Sequence, residues 1–235
     1  TIGGGAPVSV QSMTKTPTED IAQTVRQIER LAEAGSDITR CAVPNRKASE
    51  ALDEIIRRSP IPLVADIHFD PHFALRAVES GADGVRVNPG NMPGGEGLRK
   101  FYRAAADAGI KVRIGVNSGS IRPRRGMEVI PVEDAEALAR LMVDQTLSYC
   151  EAAEAEGLRN IVISMKASDV PTTLAAYRLA AGRCDYPFHV GVTAACPPEE
   201  SIVKSAVGIG ALLAEGIGDT IRVSMTGSPL EEVEA

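Results

Sequence analysis

Charged and polar residues recur two apart at the ends of short β-branched runs, where a buried strand should be apolar. Asp66 and His68 form one such pair, Arg86 and Asn88 a second, Lys166 and Ser168 a third. Arg113 and Asn117 flank Gly115, His189 and Thr193 flank Gly191, and Arg222 precedes Ser224. An earlier run carries Arg40 and the first carries Gln11. Residues two apart on a strand point to one side, so each pair serves one space. The cations Arg40, Arg86, Arg113, Lys166 and Arg222 face one obvious carboxylate, Asp66, with Asp169 just past the sixth run. Unpaired buried charge is costly, so this excess calls for an anionic ligand. Guanidinium forks match phosphate oxygens in particular. Purely structural ion pairs are the competing reading.

Asp66 and His68 are the expected catalytic pair. His68 could donate a proton near neutral pH or simply hydrogen-bond a substrate. His189, deeper in its run, reads as a satisfied core histidine, and His72, after Asp70 and Pro71, caps a helix or faces solvent. Cys196 sits in a strand-end loop, but a lone thiol is usually inert. Lys166 opens a second chemistry, because barrel aldolases form Schiff bases with a lysine on their sixth strand. Neighbouring arginines would lower its pKa as a lyase needs, although phosphate binding explains them equally. A binding-only phosphate module is a further alternative. The turn at 89–91 and the glycines Gly208 and Gly210 could add backbone donors, yet Gly208 and Gly210 read more simply as helix-packing glycines.

Strand-like runs lie at 8–13, 37–43, 62–68, 84–88, 111–117, 160–167, 188–193 and 220–226. Helical patterns are clearest at 18–34, 48–58, 71–80, 97–108, 132–155 and 201–214, and several end in glycine, at Gly35, Gly81, Gly109 and Gly216. Alternating strand and helix implies a parallel sheet. Eight units with near-continuous apolar strands favour an α/β (β/α)8 TIM barrel over an open doubly wound sheet. Residues 231–235 read as the start of a last helix cut short. The segment 118–131, with Arg122, Arg124 and Arg125, reads as a basic loop on the strand-end face or as a plain solvated loop.

The 235 residues fit one such domain, 1–235. Aromatics make up 3% with no Trp, and the net charge is −6, which argues against stacking on, or a basic footprint for, nucleic acid. Cys41, Cys150, Cys184 and Cys196 are widely spaced, so neither a disulfide framework nor a metal site is expected, and a cytoplasmic setting is. No signal peptide and no membrane-crossing run is evident, so no membrane partner is expected.

The strings VSVQSMT (8–14), VADIHFD (64–70), RVNPGN (86–91), RIGVNSGS (113–120), KASD (166–169), KSAVGIG (204–210) and EGIGDTIRVS (215–224) span the chain in order. Together they closely resemble the 4-hydroxy-3-methylbut-2-enyl diphosphate synthases of the methylerythritol phosphate pathway. The resemblance implies reductive ring opening and dehydration of 2-C-methyl-D-erythritol 2,4-cyclodiphosphate in isoprenoid biosynthesis. It implies a four-iron four-sulfur (4Fe-4S) cluster, held by three cysteines and a glutamate of a separate C-terminal domain, and ferredoxin or flavodoxin as electron donor. It also implies a homodimer in which the cluster domain of one subunit covers the barrel mouth of the other. By motif, Arg40, Arg86, Arg113, Asn117, Lys166, Arg222 and Ser224 would hold diphosphate, with Asp66, His68, Asn88, Ser168 and Thr193 lining the same pocket. The four cysteines here do not match the family's ligands, so no cluster is expected in this chain, which alone should bind substrate without catalysing. The family's Gly-(Ile/Val)-Thr-Glu-Ala-Gly after strand seven reads GVTAAC at 191–196. Ala194 thus replaces the acid that can touch the reacting hydroxyl, with Glu199 or Glu200 as possible substitutes. The pterin-binding dihydropteroate synthases are a related barrel with a strand-end anion site, but their pterin-pocket strings are not evident.

Overall fold

The computed structural model describes residues 1–92, 94–121, 134–193 and 196–235. Its strands are β1 (Ser9–Met13), β2 (Ile38–Ala42), β3 (Leu63–Ile67), β4 (Gly84–Val87), β5 (Lys111–Asn117), β6 (Ile161–Lys166), β7 (His189–Val190) and β8 (Thr220–Ile221). All pair in parallel in the order β6-β5-β4-β3-β2-β1-β8-β7. A bridge between Ile163 and Phe188 joins β6 to β7 and closes the ring. The expected (β/α)8 TIM barrel is therefore the observed fold.

Between the strands run α1 (Ile21–Glu33), α2 (Arg46–Arg58), α3 (Pro71–Glu79), α4 (Glu96–Asp107), α5 (Ala135–Glu154), α6 (Val170–Ala181) and α7 (Pro198–Ala214), and α8 (Glu231–Glu234) follows β8. Asp20, Asn45, Asp70, Asp134 and Asp169 accept a first-turn N–H at the starts of α1, α2, α3, α5 and α6. Each such cap stabilises its helix by about 1 kcal/mol. Gly35, Gly81, Gly109 and Gly216 take the positive φ that ends α1, α3, α4 and α7. The outward strand faces, with Ile67, Val85, Ile114 and Met165, share one core with Leu52, Phe101, Met142 and Tyr177 of the helices.

The even strands begin with a polar clamp on their odd neighbours. Asp37, Asp83 and Asp219 each accept one strand-start N–H at 2.8 Å, from Val10, Leu63 and Phe188 respectively. At the fourth pair Asn160 instead donates its side-chain amide to Gly109 O at 2.9 Å. Three residues beyond each aspartate stands an arginine: Arg40, Arg86 and Arg222. The clamps thus pin the bottom of β2, β4 and β8 and put these three cations in phase.

Three elements differ from the sequence reading. β7 and β8 keep two residues each; beyond them the chain continues on isolated bonds, such as Arg222 N–H to Val190 O and Thr193 N–H to Ala167 O. Helix α6 went unmarked in the sequence because Val, Leu, Ala and Tyr occupy most of its faces and leave little polar period. At the C-terminus the start of a last helix forms where it was expected, as the short α8.

Candidate functional site

The C-terminal ends of the strands open into a cavity of about 320 Å³. Arg40, Asp66, His68, Arg86, Arg113, Asn117, Lys166, Thr193, Arg222 and Ser224 line it, joined by Met13, Ser164 and Met225. Asn88 and Ser168 lie outside this lining. Asn88 is buried in the turn after β4, where its Oδ1 accepts from Gly90 N–H at 3.2 Å, and Ser168 is exposed. In both cases the strand has already ended, so alternation no longer sets the side chain's direction. The Gly90 N–H is likewise already used within its own turn.

Asp66 organises one half of the mouth. It is buried, with Arg40 Nε at 3.1 Å, Arg86 Nη1 at 3.1 Å and His68 Nε2 at 3.3 Å. Burial alone would raise this carboxyl, but Arg40, Arg86 and His68 outweigh it and hold the group well below its ordinary pKa. Arg86 also donates to Gly115 O at 3.4 Å, and a Cβ on Gly115 would stand 2.8 Å from Arg86 Nε and 2.9 Å from Ser164 Oγ. Gly115 is therefore the space that Arg86 needs. Gly191 does the same for Lys166, since a Cβ there would lie 2.6 Å from Lys166 Nζ.

A second carboxylate corrects the charge count made from sequence. Glu232 of α8 is buried and accepts from Arg222 Nη2 at 2.8 Å and Nε at 3.1 Å. Lys15 Nζ lies 3.1 Å from the same group. No local pattern announces Glu232, because its role depends on α8 folding back over β1. Met13 and Ser164 were legible by parity, each two residues from a residue already singled out (Gln11 and Lys166).

The remaining two cations have no carboxylate partner among the described residues. Arg113 reaches across the barrel axis to donate to Gln11 Oε1 at 2.7 Å, and Lys166 points into the space left by Gly191. Burial, then the surrounding arginines, push Lys166 well below its ordinary pKa, and the same forces act on Arg113. Burial lowers Arg40 to about 10 in spite of Asp66. These depressions share one cause: positive groups crowded together out of water. An anion in the cavity would relieve it.

His189 corrects another expectation. It is buried, as a core histidine should be, but neither ring nitrogen has a partner among the described residues. Burial, Arg113 and Lys166 keep its imidazole well below the ordinary pKa and hence neutral. His72 is exposed and bonded to Asp70. Gly208 packs under Val192 as a helix-packing glycine, whereas Gly210 has open space around it. Cys196 lies 3.2 Å from Ser201 Oγ at the start of α7. Arg122, Arg124, Arg125 and Ala194 lie outside the described residues.

Among the described residues no three Cys, His, Asp or Glu side chains converge to hold a metal ion, and no helix is long and apolar enough to cross a membrane. The arrangement offers clustered positive charge and one His68–Asp66 contact at 3.3 Å. A larger cavity, about 460 Å³, opens at the opposite end of the barrel among strand starts. There the carboxylates of Asp37 and Asp83 are spent on strand N–H groups, and Arg113 alone of the clustered cations reaches it. Charge density, not volume, favours the mouth.

Known proteins share this chain's sequence and its fold. A 4-hydroxy-3-methylbut-2-en-1-yl diphosphate synthase (flavodoxin) of Ruminiclostridium cellulolyticum is 49% identical over 233 residues, covering 99% of this chain and 65% of the relative. Proteins of the same name from Geobacter sulfurreducens and Salinispora arenicola are 49% and 48% identical, with 64% and 59% of their lengths covered. The chain thus spans somewhat under two thirds of these relatives. Among solved structures, a dihydropteroate synthase of Coxiella burnetii in complex with pteroic acid superposes with TM-score 0.67 at 13% identity, covering 97% of this chain and 91% of that one. A truncated 3-deoxy-D-arabino-heptulosonate 7-phosphate synthase of Thermotoga maritima gives TM-score 0.63 at 13% identity, covering 99% and 81%. These structures share the barrel fold and no more. The sequence pattern of the GcpE TIM-barrel domain matches residues 1–235, and the chain belongs to that family.

Proposed function

We propose that this barrel binds 2-C-methyl-D-erythritol 2,4-cyclodiphosphate as the substrate domain of a 4-hydroxy-3-methylbut-2-enyl diphosphate synthase in isoprenoid biosynthesis. The observation that carries the reading is the pair Arg113 and Lys166, without carboxylates, in a mouth that already holds Arg40, Arg86 and Arg222. Two linked phosphoryl groups supply the missing negative charge, and the names of the relatives point to this substrate class. In this reading Arg113, Lys166 and Arg222 grip the phosphoryl oxygens, while Asp66 holds Arg40 and Arg86 at fixed angles beside them. Asn117, Thr193 and Ser224 add uncharged hydrogen bonds at the rim. His68, 3.3 Å from Asp66, would give a proton to a departing oxygen.

Flavodoxin, which the relatives' names carry, or ferredoxin would supply electrons to the full-length protein, working as a cytoplasmic homodimer. No set of residues among those described could hold the 4Fe-4S cluster that the family implies, and in this reading the barrel's share is binding, orientation and the proton from His68.

Calorimetric titration with the cyclodiphosphate at low salt tests this. Saturable binding is expected, weakened roughly 10- to 100-fold by Arg113→Ala or Arg222→Ala, since one charge-assisted hydrogen bond is worth about 1.5–3 kcal/mol. Absence of binding by the wild type rejects the reading. Lys166, held toward its uncharged form, also supports a Schiff-base lyase. Borohydride trapping of a carbonyl compound on Lys166 would favour that alternative.

A further inference from the structure

Arg222 differs from the other cations of the mouth in being clamped from behind. Glu232 takes its Nε and Nη2, leaving Nη1 turned toward Met13 Sδ, which also receives Arg40 Nη2 at 3.0 Å. Glu232 in turn is fixed by Met225 N–H at 3.3 Å and by Lys15 Nζ. Lys15 itself donates to Met225 O at 3.0 Å and Gly227 O at 2.7 Å, so the loops after β1 and β8 meet on this carboxylate.

We propose that Glu232 is a positioning residue for anion binding, acting through Arg222; the proposal rests on the mouth being the phosphate site. Two opposed effects follow from its location. Its negative charge near the cavity weakens the field felt by an incoming anion. Its two-point grip removes the freedom of a long side chain whose ordering the ligand would otherwise have to bring about. The bidentate geometry and the burial of Glu232, with Arg222 largely withdrawn from water, make the second effect the larger.

The sign of a substitution separates them. Glu232→Gln is nearly isosteric and removes the charge together with one acceptor. In the full-length protein, calorimetry with inorganic pyrophosphate should show affinity lowered about 10-fold by Glu232→Gln, with an unchanged circular-dichroism spectrum at the titration temperature confirming the fold. In an Arg222→Ala background the same substitution should change affinity less than 2-fold, because its target is gone. Tighter binding by Glu232→Gln, unchanged binding, or a full 10-fold loss without Arg222 overturns the proposal. Failure of the wild type to bind pyrophosphate at all would instead reject the phosphate site beneath it.

Discussion

Lys166, half-buried at the end of β6, loses solvation and stands among Arg113, Arg222, Arg40 and Arg86, so its amine is held toward the neutral form in the free protein. A bound dianion reverses that field and raises the amine's pKa. Between the free and bound values, binding must therefore take up a proton, and affinity falls as pH rises through the bound value. The cyclodiphosphate carries no titratable proton near neutral pH, so the uptake is the protein's own. Titrations in buffers of different ionisation enthalpy should show the uptake in wild type and its loss in Lys166→Met. Buffer-independent heats in wild type would contradict it. At Gly115 a methyl group would displace Arg86 from Asp66. Gly115→Ala should leave the protein folded yet weaken cyclodiphosphate binding about 10-fold, or about 1.4 kcal/mol. The cations were legible in the sequence because a charged residue breaks an apolar strand pattern visibly. Glu232 was not, since an acidic residue in a short C-terminal helix looks like any solvated one until the chain folds back.

Seams between elements carry their own signature. Across β6 and β7 the ladder is thin, and the Tyr177 hydroxyl of α6 fills it, accepting from Met165 N–H at 3.1 Å and donating to His189 O at 2.6 Å. Tyr177→Phe strands both backbone groups in the core, and should cost about 1–3 kcal/mol in a denaturant unfolding midpoint. A loss no larger than a surface substitution would contradict the seam. At the barrel's other end the aspartate clamps repeat as Gly, one or two residues, Asp, two residues, Arg, at 35–40, 81–86 and 216–222, with Gly218 an extra glycine in the last. Asp83→Ala should lower stability by about 1 kcal/mol through the lost bond to Leu63 N–H. This repeat was readable in the sequence, because each aspartate follows a helix-ending glycine. The lengths of β7 and β8 were not. Val, Thr and Ile extend the apolar run to the rim, but past Val190 and Ile221 the chain keeps single bonds, such as Arg222 N–H to Val190 O, where a ladder would be.

The whole molecule is acidic, with a net charge of −6, yet gathers its buried cations at one end of the barrel axis. Parallel strands make this possible, because every strand delivers its C-terminal residues to one rim. Eight alternating units made the closed barrel legible in advance. The competing cavity at the opposite end was not, since it arises from how strand starts and residues 1–8 leave space rather than from any one residue type. The decisive measurement is a crystal structure of the protein with the cyclodiphosphate bound. Phosphoryl oxygens within about 3.2 Å of Arg113 and Lys166, on the Asp66 side of the axis, are the expected result. A ligand seated beside Lys111 at the far end, or a mouth unchanged at saturating ligand, would contradict the account.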